Sequence, residues 1–288
     1  MHKKCIIMQN EGKKMKNKLL LLALSCVLLL TVSCSKTAPK AIGVQAGTTG
    51  QYFVEGDADW GFEGIKGYEC KHYANAGLAV QDLKNKSIRY VMIDQAPALT
   101  LQNTIKGIKA INIPLSEEEY AFAVDKSQND LLQKVNAALE KIKQNGKFDS
   151  ILKAYSTGDG IKPVTSAKKD LSKQDKQLVV ATNAAFAPFE YREGDKFCGI
   201  DMELAREIAD ELGMELVLED MEFDSVVISV GKHGVDLGMA ALTVNETRKK
   251  SVNFSSSYYN AAQVLVTLEN DNTFQSCKTA SDVLAILK

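Results

Sequence analysis

The residue types best suited to binding an anion are an arginine and a glycine-threonine loop, far apart in the sequence. Arg248 lies in the turn after "MAALTVN", where Thr243 follows a strand-like run. A guanidinium grips a carboxylate at two points in one plane, and a nearby hydroxyl with free backbone N–H groups completes an anion site. Residues 41–53, "AIGVQAGTTGQYF", have the layout of an anion-binding loop: a strand, a Gly/Thr turn and a helix start. The loop lacks the lysine and the spacing of a P-loop.

Further candidate site residues follow the ends of other strand-like segments. "QLVVATN" ends at Asn183 and precedes Phe186 and Phe189, and Phe223 lies between a strand-like and a helix-like segment. In open α/β sheets, ligands bind beyond the carboxyl ends of strands, so we expect Phe186 and Phe223 to face a ligand. Phe189 is expected in the core. Asp94 ends "YVMID", where it is either a helix cap or a ligand group.

The elements around these residues form two alternating series of strands and helices. The first runs from residue 41 to the helix in "NDLLQKVNAALEKIKQNGKF", whose apolar residues fall on one face and which ends at Gly146. The second begins at "QLVVATN" and includes the helix "DMELAREIADELG", for which Asp201 is the expected N-cap and Gly213 the stop. Residues 158–176 lack periodicity and are expected to be a linker. Two such series predict two α/β lobes, each a mostly parallel sheet flanked by helices.

The N-terminus reads as an export signal. A basic stretch precedes the apolar run "LLLLALSCVLLLTVSC", which ends at Cys34 and suits a secretory signal better than a spanning helix. "TVSC" resembles a bacterial lipoprotein processing site, with Cys34 carrying the lipid; an uncleaved anchor is the alternative. We expect an exported protein anchored by lipid to the cell membrane, facing the periplasm or the exterior. Translation starts at Met1 or Met15.

Charge and cysteine usage exclude several classes of protein. After residues 1–34 are removed, 29 basic and 35 acidic side chains remain, a net charge of −6, so nucleic acid is not an expected partner. Cys70, Cys198 and Cys277 form no disulfide framework and no CxxC or Cys/His zinc pattern. Buried free thiols are favoured, and one disulfide stays open as an alternative. No metal and no cofactor are expected.

The segment from "LVVATNAAFAPFEY" to "NAAQVLV" resembles the first lobe of bacterial extracellular solute-binding protein family 3. These proteins are the capture subunits of amino-acid ABC importers. "AIGVQAGTTGQYF", "LKNKSIRYVMIDQAPAL" and "VNAALEKIKQNGKFDSILKAY" resemble the second lobe and the C-terminal helices of the same family. The resemblance implies a two-lobed periplasmic-binding-protein fold of type II, with the ligand in the cleft.

The order of these segments departs from the family, in which the "TNAAFAPFEY" segment comes first and "IGVQAGTT" follows "SDVLAILK". The simplest interpretation is a circular permutation; a fusion of two non-functional fragments is the alternative. The expected domains are lobe II at 41–118 plus 268–288, lobe I at 119–157 plus 177–267, and a linker at 158–176 that joins the family's old termini. The hinge crossings are expected near 117–120 and 264–268.

The resemblance also implies roles for individual residues around an amino-acid backbone. Arg248 matches the arginine that clamps the ligand α-carboxylate, and Thr243 and Thr49 match residues that hydrogen-bond the same group. Asp94 matches the acid that pairs with the α-ammonium group, and Ala241 would offer its backbone carbonyl to that ammonium. Because these groups come from both lobes, only a closed cleft supplies all of them.

Other positions concern the ligand side chain. Phe186 and Phe223 match the aromatic walls. Asn183 stands where many binders of basic amino acids carry an acid, and Glu190 is the residue that could replace that charge. The resemblance therefore implies capture of a polar or basic L-amino acid, arginine-like or lysine-like or glutamine, by a monomer that delivers it to an ABC permease.

Two other functions remain open from the sequence. Some relatives on this fold are dehydratases, for which a general acid in the cleft would be needed, with Glu190 as the candidate. A sensor or adhesin module would use the fold without transport. The paired zwitterion-binding residues favour a binding protein over an enzyme.

Overall fold

The computed structural model describes residues 39–288. The expected signal peptide at 1–34, its Cys34 and both candidate start positions lie outside the described residues. Within residues 39–288, no helix combines the length and apolar character needed to cross a bilayer.

Strands and helices alternate through the first part of the described chain. In order they are β1 (Ala41–Gln45), α1 (Thr49–Glu55), β2 (Glu69–Tyr73), α2 (Ala76–Lys84), β3 (Tyr90–Asp94), α3 (Gln95–Thr104) and β4 (Ile108–Ile111). Every residue of β1 and β3 is buried, because helices cover both faces of these strands.

The next part contains two short strands and two helices: β5 (Glu118–Tyr120), β6 (Ala123–Asp125), α4 (Asn129–Gln144) and α5 (Lys147–Thr157). The apolar face predicted for α4 is largely confirmed, since Val135, Ala138, Leu139 and Ile142 are buried. Its first two leucines are only half-buried, because the helix begins at the edge of the lobe.

The second alternating series completes the fold. Its elements are β7 (Gln177–Thr182), β8 (Ala185–Phe186), β9 (Glu190–Glu193), β10 (Lys196–Cys198), α6 (Ile200–Leu212), β11 (Glu215–Asp220), α7 (Phe223–Ser229), β12 (Leu237–Gly238), α8 (Glu246–Lys249), β13 (Val252–Phe254), β14 (Tyr259–Ala261), β15 (Gln263–Leu268) and α9 (Ala280–Leu287).

Two five-stranded sheets share one topology. The sheet of lobe I has the order β11-β7-β12-β6-β13 and that of lobe II has the order β2-β1-β3-β15-β4. In each sheet the fourth strand, β6 or β15, is antiparallel to both neighbours. Strand β6 follows the short strand β5, and β15 follows the short strand β14. Strands β5 and β14 pair with each other and form the hinge between the lobes. The two-lobed, type II periplasmic-binding-protein fold expected from the sequence is confirmed.

One predicted domain boundary is wrong. Residues 263–267 were expected in lobe I, and the second hinge crossing at 264–268. Instead β15 (Gln263–Leu268) lies in the centre of the lobe II sheet, and the crossing falls at β14 and Ala262. "AAQVLVTLE" carries no turn signal, so the sequence does not mark where the chain changes lobes. The first crossing lies at β5, within the expected 117–120.

The role expected of Asp201 is also wrong. Gly199, not Asp201, is the N-cap of α6, while the helix ends at Gly213 as predicted. The fully buried Asp201 carboxylate turns into lobe I, where it accepts hydrogen bonds from the Ala241 N–H at 2.9 Å and the Tyr258 hydroxyl at 2.5 Å.

Residues 158–176, expected to be a linker, lie against lobe I and form backbone hydrogen bonds with it. Val164 forms an antiparallel bridge with Phe197, and the Ala167 N–H donates to the Leu216 carbonyl at 2.9 Å. A 3₁₀ helix at Leu171–Lys176 leads into β7. This segment is therefore held by backbone hydrogen bonds over part of its length.

Strand β1 and helix α9 share one core although they lie far apart in the sequence. Ile42 and Val44 belong to the same buried cluster as Val283 and Leu287. A capping box between Thr279 and Asp282 fixes the start of α9. The circular permutation expected from the sequence would require this neighbouring placement of β1 and α9.

Candidate functional site

A small cavity of about 10 Å³, room for about one water molecule, lies between the lobes at the carboxyl ends of their parallel strands. Its walls consist of Gln45, Thr48, Thr49, Asp94, Phe186, Phe223, Ala241, Thr243 and Arg248. Seven of the nine residues predicted to bind ligand therefore line one cavity. The other two, Asn183 and Glu190, do not line it.

Arg248 supplies a buried cation to this cavity. Asn245 caps α8 by accepting from the Arg248 N–H, which fixes Arg248 in the segment between β12 and β13. The guanidinium donates from Nη1 to the Thr243 carbonyl at 2.8 Å and from Nη2 to the Gly47 carbonyl at 3.1 Å. Its carbon lies 5.3 Å from the Trp60 ring centroid and 5.4 Å from that of Phe223, within cation–π range.

The charge of Arg248 persists in this setting. Burial lowers the pKa of Arg248 to about 10, and neighbouring groups, Glu118 and Asp94 among them, partly oppose that shift. The guanidinium is therefore protonated at neutral pH. Among the described residues, neither of these acids forms a salt bridge with Arg248. Two of the five guanidinium N–H groups donate to the backbone carbonyls, and a buried cation without a carboxylate partner favours an anionic ligand.

Asp94 supplies the opposite charge from lobe II. It occupies the N-cap position of α3, but its side chain makes no cap hydrogen bond. Instead it accepts from the Tyr120 hydroxyl at 2.6 Å. Burial, and then the Glu118 charge, raise the pKa of Asp94 to about 7, against the lowering effect of the Tyr120 hydrogen bond. The Asp94 side chain therefore does not cap α3, so the helix-cap alternative is wrong.

A chain of hydroxyl groups crosses from lobe II to the hinge. Thr49 Oγ1 donates to Thr243 Oγ1 at 3.1 Å, and Thr243 Oγ1 donates to Glu118 Oε2 at 2.7 Å. The other Glu118 oxygen accepts from Ser116 Oγ at 2.7 Å and Gln263 Nε2 at 3.0 Å. Glu118 was not predicted from the sequence, because the hinge pairing that brings it beneath Thr243 is not visible there.

The Ala241 backbone is unusual. Its φ of 47° lies in the left-handed region, which non-glycine residues rarely adopt. The Ala241 N–H donates to the buried Asp201 carboxylate, which holds this turn in place. Strained backbone of this kind concentrates at ligand-binding sites, and here it places Ala241 and Thr243 on the cavity wall.

The aromatic residues divide between the cavity and the core. Phe186 and Phe223 line the cavity. Phe189 is fully buried and packs edge-on against Tyr120 and Tyr259, as a core residue. Trp60, which the sequence patterns did not single out, stacks on Tyr52 and lies beside the Arg248 guanidinium.

Asn183 joins the two lobes instead of facing the cavity. Its Oδ1 accepts from Gln45 Nε2 at 2.9 Å, and its Nδ2 donates to the Met221 carbonyl at 2.7 Å. The cavity residue at this end is therefore Gln45, which was not predicted because β1 and β7 are distant in the sequence.

Glu190 does not supply the cavity with negative charge, contrary to the expectation. It pairs with Phe186 in the β8–β9 ladder and is fully buried. Within the described part of the chain, neither of its carboxylate oxygens has a hydrogen-bond partner. Burial, together with the Asp201 and Asp94 charges, raises the pKa of Glu190 well above its usual range, so the neutral acid is favoured.

The three cysteines of the described residues lie outside this cavity. Among the described residues Cys70, Cys198 and Cys277 are free thiols; Cys198 is buried and the other two are half-buried. Cys198 matches the expectation of a buried free thiol, whereas Cys70 and Cys277 are less buried than expected.

Comparison with known proteins shows which family this chain resembles over part of its length. Residues 178–286 match the family of bacterial extracellular solute-binding proteins, family 3. This range runs from β7 through α9 and carries Thr243 and Arg248. The resemblance to this family that the sequence motifs predicted is confirmed for these residues.

Individual relatives carry names of amino-acid-binding proteins. A segment of 103 residues is 40% identical to the arginine-binding extracellular protein ArtP of Bacillus subtilis, covering 36% of this chain and 40% of that protein. A segment of 108 residues is 31% identical to the L-cystine-binding protein TcyJ of Escherichia coli K12, covering 37% and 40%. The matches thus span about two fifths of the length of these relatives. The arginine-bound domain 1 of TmArgBP is 29% identical, with 42% of this chain and 98% of that chain covered and a TM-score of 0.28.

Proposed function

We propose that the protein captures a polar or basic L-amino acid between its lobes and delivers it to an ABC importer. The observation that carries this proposal is the pairing of Arg248 and Asp94. A buried cation from lobe I and a buried acid from lobe II line the same small cavity. A zwitterion needs both charges at fixed positions, with each desolvated polar group paired.

In this proposal the ligand carboxylate lies against Arg248, with Thr243 and Thr49 as additional donors. The α-ammonium group pairs with ionised Asp94 and with the Ala241 carbonyl. Phe186 and Phe223 contact the ligand side chain. The arrangement assigns no role at the ligand to Glu190, which lies behind the wall formed by Phe186.

Hinge closure supplies the coupling to transport. Thr49–Thr243, Gln45–Asn183 and Arg248–Gly47 each bridge the two lobes with a hydrogen bond. Because both lobes contribute ligand-binding groups, a ligand has higher affinity for the closed form and shifts the population towards it. We propose that the permease recognises this closed form of a monomer.

The ligand class follows from the walls and from the relatives. The Gln45–Asn183 amide pair replaces the acid that many binders of basic amino acids carry, which suits glutamine. The resemblance to an arginine-binding protein suits a basic ligand, so both classes are included in the proposal.

The location of the protein and the order of its segments are part of the same proposal. The signal-like segment ending in "TVSC" supports export and a lipid on Cys34.

The segment order supports circular permutation: each sheet is completed by a strand from the opposite series, and β1 packs with α9. A chain in which Lys288 is joined to Lys40 and new ends open within 158–176 should bind the same ligand. Loss of binding by this reordered but folded chain would contradict the permutation.

We propose a binding role and not catalysis. The acid expected to serve a dehydratase, Glu190, does not line the cavity. Incubation with cyclic amino-acid precursors should yield no product; turnover that depends on Asp94 or Glu118 would instead favour an enzyme.

A thermal-shift screen of the ligand-stripped protein against the twenty amino acids tests the proposal. Ligand at about one hundred times its Kd stabilises a folded protein by about 2.7 kcal/mol, which corresponds to a rise in Tm of about 5–10 °C for a chain of this size. A rise with a polar or basic amino acid, and none with acidic ones, is expected. An unchanged Tm with every amino acid would overturn the proposal.

A further inference from the structure

A second cluster of chemically active side chains lies in lobe II, formed by Glu55, Cys70 and His72. Their candidate ligand atoms all lie within 4.8 Å of one another. None of the three lines the cavity between the lobes. The amino-acid site described above therefore leaves this cluster without a role.

Local structure explains why these three residues meet. Cys70 and His72 are two residues apart on β2, the edge strand of the lobe II sheet, so both side chains project from one face. Glu55 is the last residue of α1, which packs over that face. His72 Nε2 lies 2.7 Å from Glu55 Oε1, while Glu55 Oε2 accepts from Gln51 Nε2 at 2.9 Å.

The surroundings of the cluster are half apolar and half open. Cys70 packs against the buried cluster that contains Ile42 and Val44, whereas the Glu55 and His72 side chains are 36% and 45% exposed. Burial, and then the Glu55 charge, raise the pKa of the Cys70 thiol to about 12. A cation that binds the sulfur displaces the thiol proton to solvent and forms the metal–sulfur bond in its place.

We propose that Glu55, Cys70 and His72 bind a divalent transition-metal ion of the zinc class. One thiolate, one imidazole and one carboxylate are ligands that suit Zn²⁺, while Mg²⁺ and Ca²⁺ prefer oxygen ligands alone. Metal–ligand bonds of about 2.0–2.3 Å require the ligand atoms to approach slightly closer than 4.8 Å. The exposed Glu55 and His72 side chains can rotate to achieve this. Three protein ligands leave the fourth position of a tetrahedral ion for water.

The sequence alone does not reveal this site. A Cys-x-His pair supplies only two ligands, and the third comes from a helix fifteen residues earlier in the chain. Gln51 provides the outer contact that orients the Glu55 carboxylate, as such partners do in known metal sites. A bound ion would tie the end of α1 to β2. The first residue of α1 is Thr49, which lines the amino-acid cavity.

Titration of the full-length chain with Co²⁺ and Zn²⁺ tests the proposal. We expect one Co²⁺ per chain, a thiolate-to-cobalt charge-transfer band in the near ultraviolet, and displacement of Co²⁺ by Zn²⁺. Cys70→Ser should abolish the band, while the matched variant Cys277→Ser should retain it. His72→Asn should weaken binding by about tenfold or more, since loss of an outer contact alone commonly costs 10–100-fold. His233→Asn should leave it unchanged.

Glu55→Gln provides a variant that keeps the shape of the site and the contact with Gln51. It should weaken Co²⁺ binding while the amino-acid thermal shift persists, which separates this inference from the proposed function. The inference is overturned if no charge-transfer band forms, if the band persists in Cys70→Ser, or if Cys277→Ser abolishes it equally.

Discussion

Thr49 and Thr243, separated by 194 residues in the sequence, join their hydroxyl groups across the cleft at 3.1 Å. Thr243 then donates its own proton to Glu118 at the hinge. One hydroxyl therefore links the Gly/Thr loop of lobe II to the cavity wall of lobe I and to the hinge strand β5. We infer that this chain of hydrogen bonds stabilises closure.

Replacing Thr243 by valine tests that role. The Thr243→Val side chain keeps the shape but removes both hydrogen bonds, one of them to a charged acceptor. Ligand affinity, measured by calorimetry, should fall by about tenfold to a hundredfold. Thr100→Val removes only a local bond to the Ala96 carbonyl and should leave affinity unchanged. Equal affinities for the wild type and Thr243→Val would show that the Thr243 hydroxyl does not contribute to ligand binding.

Ligand affinity should depend on pH through Asp94. Its pKa is raised from 3.8 to about 7, and only the ionised form attracts an ammonium group. Affinity should therefore level off above about pH 7 and fall by up to about tenfold for each pH unit below it. Calorimetry between pH 5 and 8 measures this profile.

Two variants check the assignment of that pH profile. Asp94→Asn should bind about 10–100-fold more weakly at pH 8 and lose the pH dependence. Glu118→Gln should move the midpoint to lower pH, because the Glu118 charge contributes to the raised pKa of Asp94. A flat profile for the wild type would show that Asp94 does not bind the ammonium group.

Glu190 should affect stability and not ligand binding. Its folded-state pKa is raised above its usual value, so ionisation opposes folding and stability is lost as pH rises above about 4.5. Glu190→Gln cannot ionise, so its Tm should fall less than that of the wild type between pH 5 and 8. Its ligand affinity should stay within about twofold. A larger loss of affinity would show that Glu190 contributes to ligand binding.

Stability measurements can also test the shared core of β1 and α9. Leu287 is 1% exposed in the cluster with Ile42, while Ile286 beside it is 38% exposed. Leu287→Ala should lower the free energy of unfolding by about 2–5 kcal/mol, because truncation leaves a cavity. Ile286→Ala should cost about 1 kcal/mol or less. Similar costs for the two variants, from denaturant unfolding, would show that α9 does not pack there.

The sequence predicts the parts of this molecule that depend on local signals. Buried strands, the helix stop at Gly213 and the loops that carry Thr49, Asp94 and Arg248 all have short-range signatures. Their placement at strand ends agrees with convergence, because parallel strands bring their carboxyl ends to one edge. That Thr49 and Asp94 share one site with Arg248 was implied by the resemblance to the solute-binding family.

Features that depend on long-range pairing could not be predicted in this way. Glu118 and Gln263 meet only because the two hinge strands pair, and Gln45 meets Asn183 only because the lobes face each other. Asp201 has the spacing of a helix cap, but buried partners on two other segments determine its position. Glu190 follows Phe186 closely in sequence, yet the β8–β9 hairpin turns its side chain behind the wall.

The central claim is that the buried guanidinium of Arg248 binds the carboxylate of an amino acid. Isothermal titration of the ligand-stripped protein with the amino acid that gives the largest thermal shift tests it most directly, with Arg248→Ala beside it and Lys249→Ala as the exposed neighbouring control. We predict one ligand per chain for the wild type and Lys249→Ala, and no measurable binding by folded Arg248→Ala. Binding of unchanged affinity by Arg248→Ala would contradict the account.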